Sequence, residues 1–126
     1  GRTRALVVHG AGTDEIAVHG TTHVWELKDG EITEYDVTPE CLGIERHKLA
    51  DLVGGDGAEN AQHLRNVFAG EGKPAHRDAI VAAAGAMFYL YGKTATIAEG
   101  VAHAKEIIDS GQVADWLRTH EEANYA

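Results

Sequence analysis

Residues 4–32 read RALVVHGAGTDEIAVHGTTHVWELKDGEI, and this stretch decides the fold. It opens with a short apolar run, Ala5 to Val8, which is rich in β-branched residues and ends in His9-Gly10. Such a run is typical of a strand that is buried on both faces, as in parallel sheets. The sequence therefore predicts a buried strand followed by a glycine loop, which is where open α/β sheets tend to place ligands.

The second signal is a hairpin within residues 22–37, where Asp29-Gly30 separates two half-apolar runs. Asp-Gly in this setting is a strong indication of a two-residue hairpin turn. The turn sets the register, so we expect one ionic and two apolar pairs across the two strands. These pairs are Lys28 with Glu31, Leu27 with Ile32, and Val24 with Tyr35.

Four helices are predicted over the rest of the chain. After the break at Gly54-Gly55-Asp56, a helix is expected at about 58–69, and the spacing of Asp56 and Glu59 is that of a capping box. The next helix, roughly 76–91, is apolar nearly all round and should be central. Thr96 and Glu99 predict the cap of a third helix that ends at Ser110-Gly111, and the fourth starts near Gln112. The residues expected to be buried are Ala61, Leu64, Val67 and Phe68 in the first helix and Val101, Ala104 and Ile108 in the third.

The predicted fold class is therefore α/β, with one buried strand, a β-hairpin and about four helices. A buried parallel strand needs strand neighbours, whereas a hairpin is antiparallel. The chain also does not begin with Met. We therefore expect residues 1–126 to be the carboxy-terminal part of one α/β domain whose amino-terminal part supplies the rest of the sheet.

Composition and charge exclude several classes of protein. The formal net charge is −9 and the 11 Lys and Arg residues are scattered, which argues against a nucleic-acid partner. The longest apolar run, Ala79 to Tyr91, is shorter than the roughly 20 residues that cross a bilayer, so no membrane segment is predicted. Cys41 is the single cysteine and we expect a buried thiol. The amino terminus lacks a basic region with an apolar core, which favours a cytoplasmic, reducing location.

Asp14 and Glu15 are the candidate metal ligands, in the loop HGAGTDE at residues 9–15. Magnesium is commonly held by one or two carboxylates together with waters and substrate phosphates, and this pair offers that set. On spacing alone the alternative stays open that Asp14 caps a turn and Glu15 is a solvated charge. His9 either shapes this loop or is a structural histidine. The helix start at Asp56 and Asn60 is either a plain cap or an anion site.

The same stretch resembles the anthranilate phosphoribosyltransferase family, in which a strand ending in His-Gly runs through a glycine loop into Asp-Glu and then a hairpin. The match continues through Gly54-Gly55-Asp56, Glu59-Asn60-Ala61, Arg77-Asp78-Ala79 and Ala98-Glu99-Gly100, and it covers essentially the whole chain. The resemblance implies a nucleoside phosphorylase/phosphoribosyltransferase-type α/β domain. It also implies that Asp14 and Glu15 bind the Mg²⁺ that accompanies the pyrophosphate of the donor.

The implied reaction is transfer of a 5-phosphoribosyl group from phosphoribosyl pyrophosphate to anthranilate in tryptophan biosynthesis, by an enzyme that is commonly a homodimer. The family's amino-terminal helical domain and its Gly-Thr-Gly-Gly-Asp donor loop are absent here, so we expect these residues alone to be inactive. Ala83 stands where the family often has Asn, and we assign that difference no role. Two alternatives stay open. One is a pyrimidine nucleoside phosphorylase relative, against which the Asp-Glu pair argues, and the other is a non-catalytic binding or assembly module.

Overall fold

The structure is a computed structural model, and it describes residues 4–10, 15–52 and 57–125. Within these ranges one antiparallel sheet has the strand order β1-β2-β3, and four α-helices follow it. The strands are β1 (Arg4–Gly10), β2 (Thr22–Lys28) and β3 (Glu31–Val37), and the helices are α1 (Gly57–Phe68), α2 (Pro74–Leu90), α3 (Ile97–Asp109) and α4 (Gln112–Tyr125). Two short 3-10 helices, Glu40–Leu42 and Leu49–Leu52, lie between β3 and α1. The predicted α/β class, the hairpin and the four helices are confirmed.

The hairpin forms in the predicted register. Asp29 and Gly30 have φ values of 51° and 85°, which is the left-handed pair that a type I′ turn requires. All three predicted pairs face one another across β2 and β3. The ion pair, however, is not formed, since no salt bridge joins Lys28 to Glu31 in the described part of the chain. Both residues are exposed, where such a pair gains little and costs side-chain entropy.

The prediction that β1 is buried on both faces, as a parallel strand, is wrong for the described residues. β1 pairs antiparallel with β2 along its whole length, with Val7 opposite Trp25. Val7 is 62% exposed because the described helices cover only the other face of the sheet, where Val8 and Val24 lie. A run of apolar residues indicates that a strand is apolar on both faces, but not which neighbours cover it.

The core lies between the sheet and the α2–α3 pair. Val24, Val81 and Val101 are fully buried there, one from each of β2, α2 and α3. The two helices approach so closely at Gly85 and Gly100 that a Cβ on Gly100 would overlap the backbone of Gly85. The prediction that the second helix is central is therefore confirmed.

The cap and the buried face of α3 follow the prediction, whereas the buried face of α1 follows it only in part. The Thr96 hydroxyl accepts a 3.0 Å hydrogen bond from the Glu99 backbone N–H, and the Glu99 carboxylate accepts one of 3.1 Å from the N–H of Ala95. The predicted buried residues of α3 are buried. In α1, Val67 is buried, whereas Ala61 and Phe68 are only half-buried. Leu64 is 43% exposed because it lies at the edge of a cavity described below. None of the helices in the described ranges is long and apolar enough to cross a bilayer.

Candidate functional site

Only one of the two predicted metal ligands can be placed. Asp14 lies outside the described residues, as do Gly54-Gly55-Asp56, and for Asn60 only the backbone is described. Glu15 is exposed and begins a coil, residues 15–21, which we call the carboxylate coil. Its backbone carbonyl lies against Gly10, the last residue of β1, so closely that a Cβ on Gly10 would overlap it. Glu15 therefore lies beside the carboxyl end of β1, where the sequence predicted a ligand site.

The carboxylate coil is held by hydrogen bonds to its backbone. The N–H of Ala17 donates to the Thr22 hydroxyl at 2.8 Å, and the carbonyl of Val18 accepts from the N–H of His47 at 2.7 Å. Ala17 and Val18 are 4% and 1% exposed, so these polar groups are shielded from water and need partners within the protein. Ala17 and Val18 are thus held in the core although the coil has no regular secondary structure.

His47 is itself anchored to α2. Its Nε2 lies 2.7 Å from Oδ2 of Asp78, and the two side chains are 10% and 11% exposed. In the sequence, Asp78 stands out only as part of the motif Arg77-Asp78-Ala79, and His47 belongs to no motif. No local pattern links two residues that lie in different elements and become neighbours only in the folded chain.

A cavity of about 430 Å³ opens beside Glu15. Its polar lining consists of Glu15, His19, His63 and His76, and its apolar lining includes Leu64. The rings of His63 and His76 lie 4.5 Å apart between centroids. Burial, followed by the neighbouring His63 and Lys73, lowers the pKa of His76, which keeps that ring neutral at neutral pH.

The cavity histidines do not form a metal centre. Among the described residues, no group of three or more His, Cys, Asp or Glu side chains is arranged to hold a metal ion. An adjoining apolar groove of about 480 Å³ also reaches Glu15, and its lining includes Val8, Ile80 and Met87. Glu15 is therefore a carboxylate between a histidine-lined cavity and an apolar groove.

The two remaining candidates, His9 and Cys41, both lie at the surface. His9 is exposed at the end of β1, opposite His23. Cys41 is exposed, so the expectation of a buried thiol was wrong. Its Sγ accepts from the N–H of Thr38 and donates to the carbonyl of Thr38, both at 3.1 Å, because a turn brings Thr38 and Cys41 together at the surface.

A second polar cluster, which was not predicted from the sequence, surrounds Glu26 on the core face of β2. The hydroxyls of Tyr35 and Tyr89 donate to its two oxygens at 2.7 Å and 2.6 Å, and the Arg4 guanidinium lies 3.9 Å away. Burial and the Glu26 carboxylate raise the pKa of both tyrosines. The tyrosines therefore stay protonated as donors, and the cluster joins the sheet to α2.

Comparison with known proteins identifies the family. The model of the glycosyl transferase family, a/b domain, matches residues 1–114. The chain is 70% identical to the anthranilate phosphoribosyltransferase of Corynebacterium aurimucosum over 99% of its length, and 44% identical to that of a Shewanella strain over 93%. It spans 36% and 34% of those two proteins, about a third of their length.

Solved structures agree with this result. The anthranilate phosphoribosyltransferase of Thermus thermophilus superposes with a TM-score of 0.73 at 42% identity, over 86% of this chain and 32% of that one. The enzyme of Saccharomyces cerevisiae, solved in complex with PRPP and Mg, gives 0.72 at 27% identity over 84% of this chain and 31% of that one. With a family match over nearly the whole sequence and this agreement in fold, the chain belongs to the glycosyl transferase family, a/b domain.

Proposed function

We propose that residues 1–126 are the carboxy-terminal part of the catalytic domain of an anthranilate phosphoribosyltransferase, which also has an amino-terminal helical domain and a donor loop. The observation that carries this proposal is the 70% identity, over 99% of the chain, to a relative of that name. The similarity extends to a Shewanella relative of the same name at 44% identity, so it does not depend on one group of organisms.

The reaction joins the amino nitrogen of anthranilate to the anomeric carbon of the phosphoribosyl group. The carbon–oxygen bond to pyrophosphate breaks, pyrophosphate leaves with the electron pair of that bond, and the nitrogen loses one of its protons to solvent. In the full-length protein this chain contributes the acidic loop, while other parts of the protein supply the donor loop. We expect the 126 residues alone to be inactive.

The proposed role of Asp14 and Glu15 is to hold magnesium. Their carboxylate oxygens are the donors that this ion prefers, and waters and substrate phosphates complete its octahedral shell. Two carboxylates therefore suffice, and the exposure of Glu15 at the end of β1 fits this role. When bound, the ion supplies neutralisation of the charge that grows on the leaving pyrophosphate. Asp14 and Glu15 themselves act neither as acid nor as base.

The described residues support this role by fixing Glu15. Gly10 leaves room for the backbone of the carboxylate coil, and Thr22 holds the coil at Ala17. The relative from yeast that was solved with PRPP and Mg supports the choice of donor and ion. As further proposals, the full-length enzyme is a cytoplasmic homodimer in tryptophan biosynthesis, without a nucleic-acid or membrane partner.

The test is an assay of the natural full-length protein. Anthranilate is mixed with phosphoribosyl pyrophosphate and a series of Mg²⁺ concentrations, and the loss of anthranilate fluorescence and the release of pyrophosphate are followed. We expect the two signals to match one for one and to require the metal. Phosphorolysis of uridine or thymidine by inorganic phosphate, without use of anthranilate, would instead identify a pyrimidine nucleoside phosphorylase. The absence of turnover in both assays would favour a binding or assembly module.

A further inference from the structure

We propose that His47 is a positioning residue for Glu15, which it holds in place through the carboxylate coil while Asp78 on α2 fixes its own ring. The inference rests on the proposed role of Asp14 and Glu15 as magnesium ligands. It assigns to the His47–Asp78 pair a function in donor use as well as in stability.

His47 contacts the carboxylate coil through its backbone. The N–H of His47 donates to the Val18 carbonyl at 2.7 Å, three residues after Glu15. Val18 is almost completely buried, so its carbonyl cannot exchange this donor for water. The position of Val18 therefore depends on the position of the His47 backbone.

The position of His47 depends on its side-chain contact with Asp78. Residues 44–48 form no helix or strand, so the local backbone alone does not set the direction of the His47 N–H. The imidazole makes a 2.7 Å hydrogen bond to the Asp78 carboxylate, and both side chains are about nine-tenths buried. A hydrogen bond to a charged group that is shielded from water is among the stronger ones in a protein.

Asp78 is held by the packing of the central helix α2. Asp78 lies on α2, one turn before Val81 and Ala82, which are both fully buried against the core. α2 is the helix that packs against α3 through Gly85 and Gly100. A continuous set of contacts thus runs from the central helix through Asp78, His47 and Val18 to the segment that begins with Glu15.

A displacement of the carboxylate coil would weaken metal binding by Glu15. Magnesium requires near-ideal octahedral geometry with ligand distances of about 2.0–2.1 Å, so a coil that shifts slightly still folds but binds the metal less well. Residues that orient metal ligands without touching the ion typically cost roughly 10–100-fold in metal affinity or activity when they are changed.

The experiment uses the natural full-length protein with three substitutions. His47→Ala removes the ring and keeps the backbone N–H, and Asp78→Asn keeps the shape of the partner and removes its charge. Asp109→Asn is the matched control, because Asp109 on α3 makes an exposed 2.8 Å ion pair with Arg77, the residue before Asp78 on α2. For each protein, the Mg²⁺ concentration for half-maximal activity, KM for each substrate, kcat and Tm are measured.

We expect His47→Ala to raise the half-maximal Mg²⁺ concentration and KM for phosphoribosyl pyrophosphate by roughly tenfold or more, with KM for anthranilate unchanged. Asp78→Asn should shift the same two quantities less, and Asp109→Asn should not shift them. His47→Gln, whose side-chain amide donates to Asp78, should recover most of the loss. If His47→Ala does not fold, Asp78→Asn and His47→Gln still provide the comparison.

Two results would overturn the inference. One is a stable His47→Ala enzyme with normal dependence on Mg²⁺ and donor. The other is a fall in kcat that accompanies a lower Tm while the Mg²⁺ dependence stays normal, which would mean that the pair is only structural. A wild-type protein that does not consume anthranilate would instead overturn the proposed function, so the two failures are distinct.

Discussion

The hydroxyl of Tyr89 donates a 2.6 Å hydrogen bond to the carboxylate of Glu26, and this contact ties the central helix α2 to the middle strand of the sheet. Glu26 is 7% exposed, so its charge depends on protein donors rather than on water. Tyr35 occupies the other oxygen at 2.7 Å, and the Arg4 guanidinium lies 4.9 Å from the centre of the Tyr89 ring. A buried charge on the core face of a strand is thus compatible with the fold because each of its oxygens has a donor.

Removal of the Tyr89 hydroxyl should destabilise the protein. Tyr89→Phe leaves one oxygen of a buried carboxylate without this donor, which costs about 1–3 kcal/mol of unfolding free energy. The measurement is urea denaturation of the full-length protein. Tyr91→Phe is the control, since Tyr91 is 72% exposed at the end of the same helix and should behave as wild type. Equal stability of the two variants would show that the contact contributes nothing.

The features that could be predicted from the sequence are those decided by near neighbours in the chain. Asp29-Gly30 determines a turn, and Thr96 and Glu99 determine a helix start, because the groups that bond are at most four residues apart. The helix boundaries could be predicted for the same reason, since glycines and capping residues near the helix ends determine them. The acidic pair could be found because its two residues are adjacent, but its interpretation needed the family resemblance.

The features that could not be predicted depend on distant parts of the chain. The Ala5 to Val8 run indicated two apolar faces, yet the described helices cover only one of them. Glu26 meets Tyr89 and His47 meets Asp78 only because the sheet, the coil and α2 pack together. A glutamate on a strand and an isolated histidine carry no local signal that they will be buried with a partner.

The contact between α2 and α3 should not tolerate an added methyl group. Gly100→Ala would place a Cβ against the backbone of Gly85, so the helices must separate, and overpacking of this kind costs about 1–3 kcal/mol. Denaturation of the full-length protein measures the loss. Ala102→Ser is the control, because it adds one atom at an exposed position of the same helix and should change stability by less than about 0.5 kcal/mol. Wild-type stability in Gly100→Ala would contradict the close approach.

His23 should make the protein less stable as the pH rises above neutrality. Hydrogen bonds to Asp36 and Glu34 raise the pKa of His23 above its ordinary value of 6.5, so the folded state holds the proton more tightly than the unfolded chain. The stabilisation is fully present below 6.5 and is lost as the pH rises through the higher folded pKa.

The measurement is Tm against pH for the wild type and His23→Gln, together with NMR titration of the His23 ring. His23→Gln should remove this part of the pH dependence. His103→Gln is the control, since the His103 ring contacts the ring of Phe88 and not a carboxylate among the described residues. A ring that titrates at or below 6.5 would rule out the effect of the two carboxylates.

The acidic pair offers the most direct test of the proposed chemistry. Glu15→Gln keeps the shape of the side chain and removes its charge, and Asp14→Ala removes the neighbouring carboxylate. Each should raise the Mg²⁺ concentration for half-maximal activity of the full-length enzyme by roughly tenfold or more, because a lost ligand costs at least as much as a lost orienting partner. Tm should stay unchanged, since Glu15 is exposed, and KM for anthranilate should stay unchanged, since the metal is proposed to accompany the donor and not the acceptor. Glu31→Gln, at an exposed carboxylate in the hairpin, is the control for the general loss of negative charge. If both variants keep the wild-type dependence on Mg²⁺, the pair does not hold the metal, and the Asp14–Glu15 loop must be interpreted as a capped turn with a solvated charge.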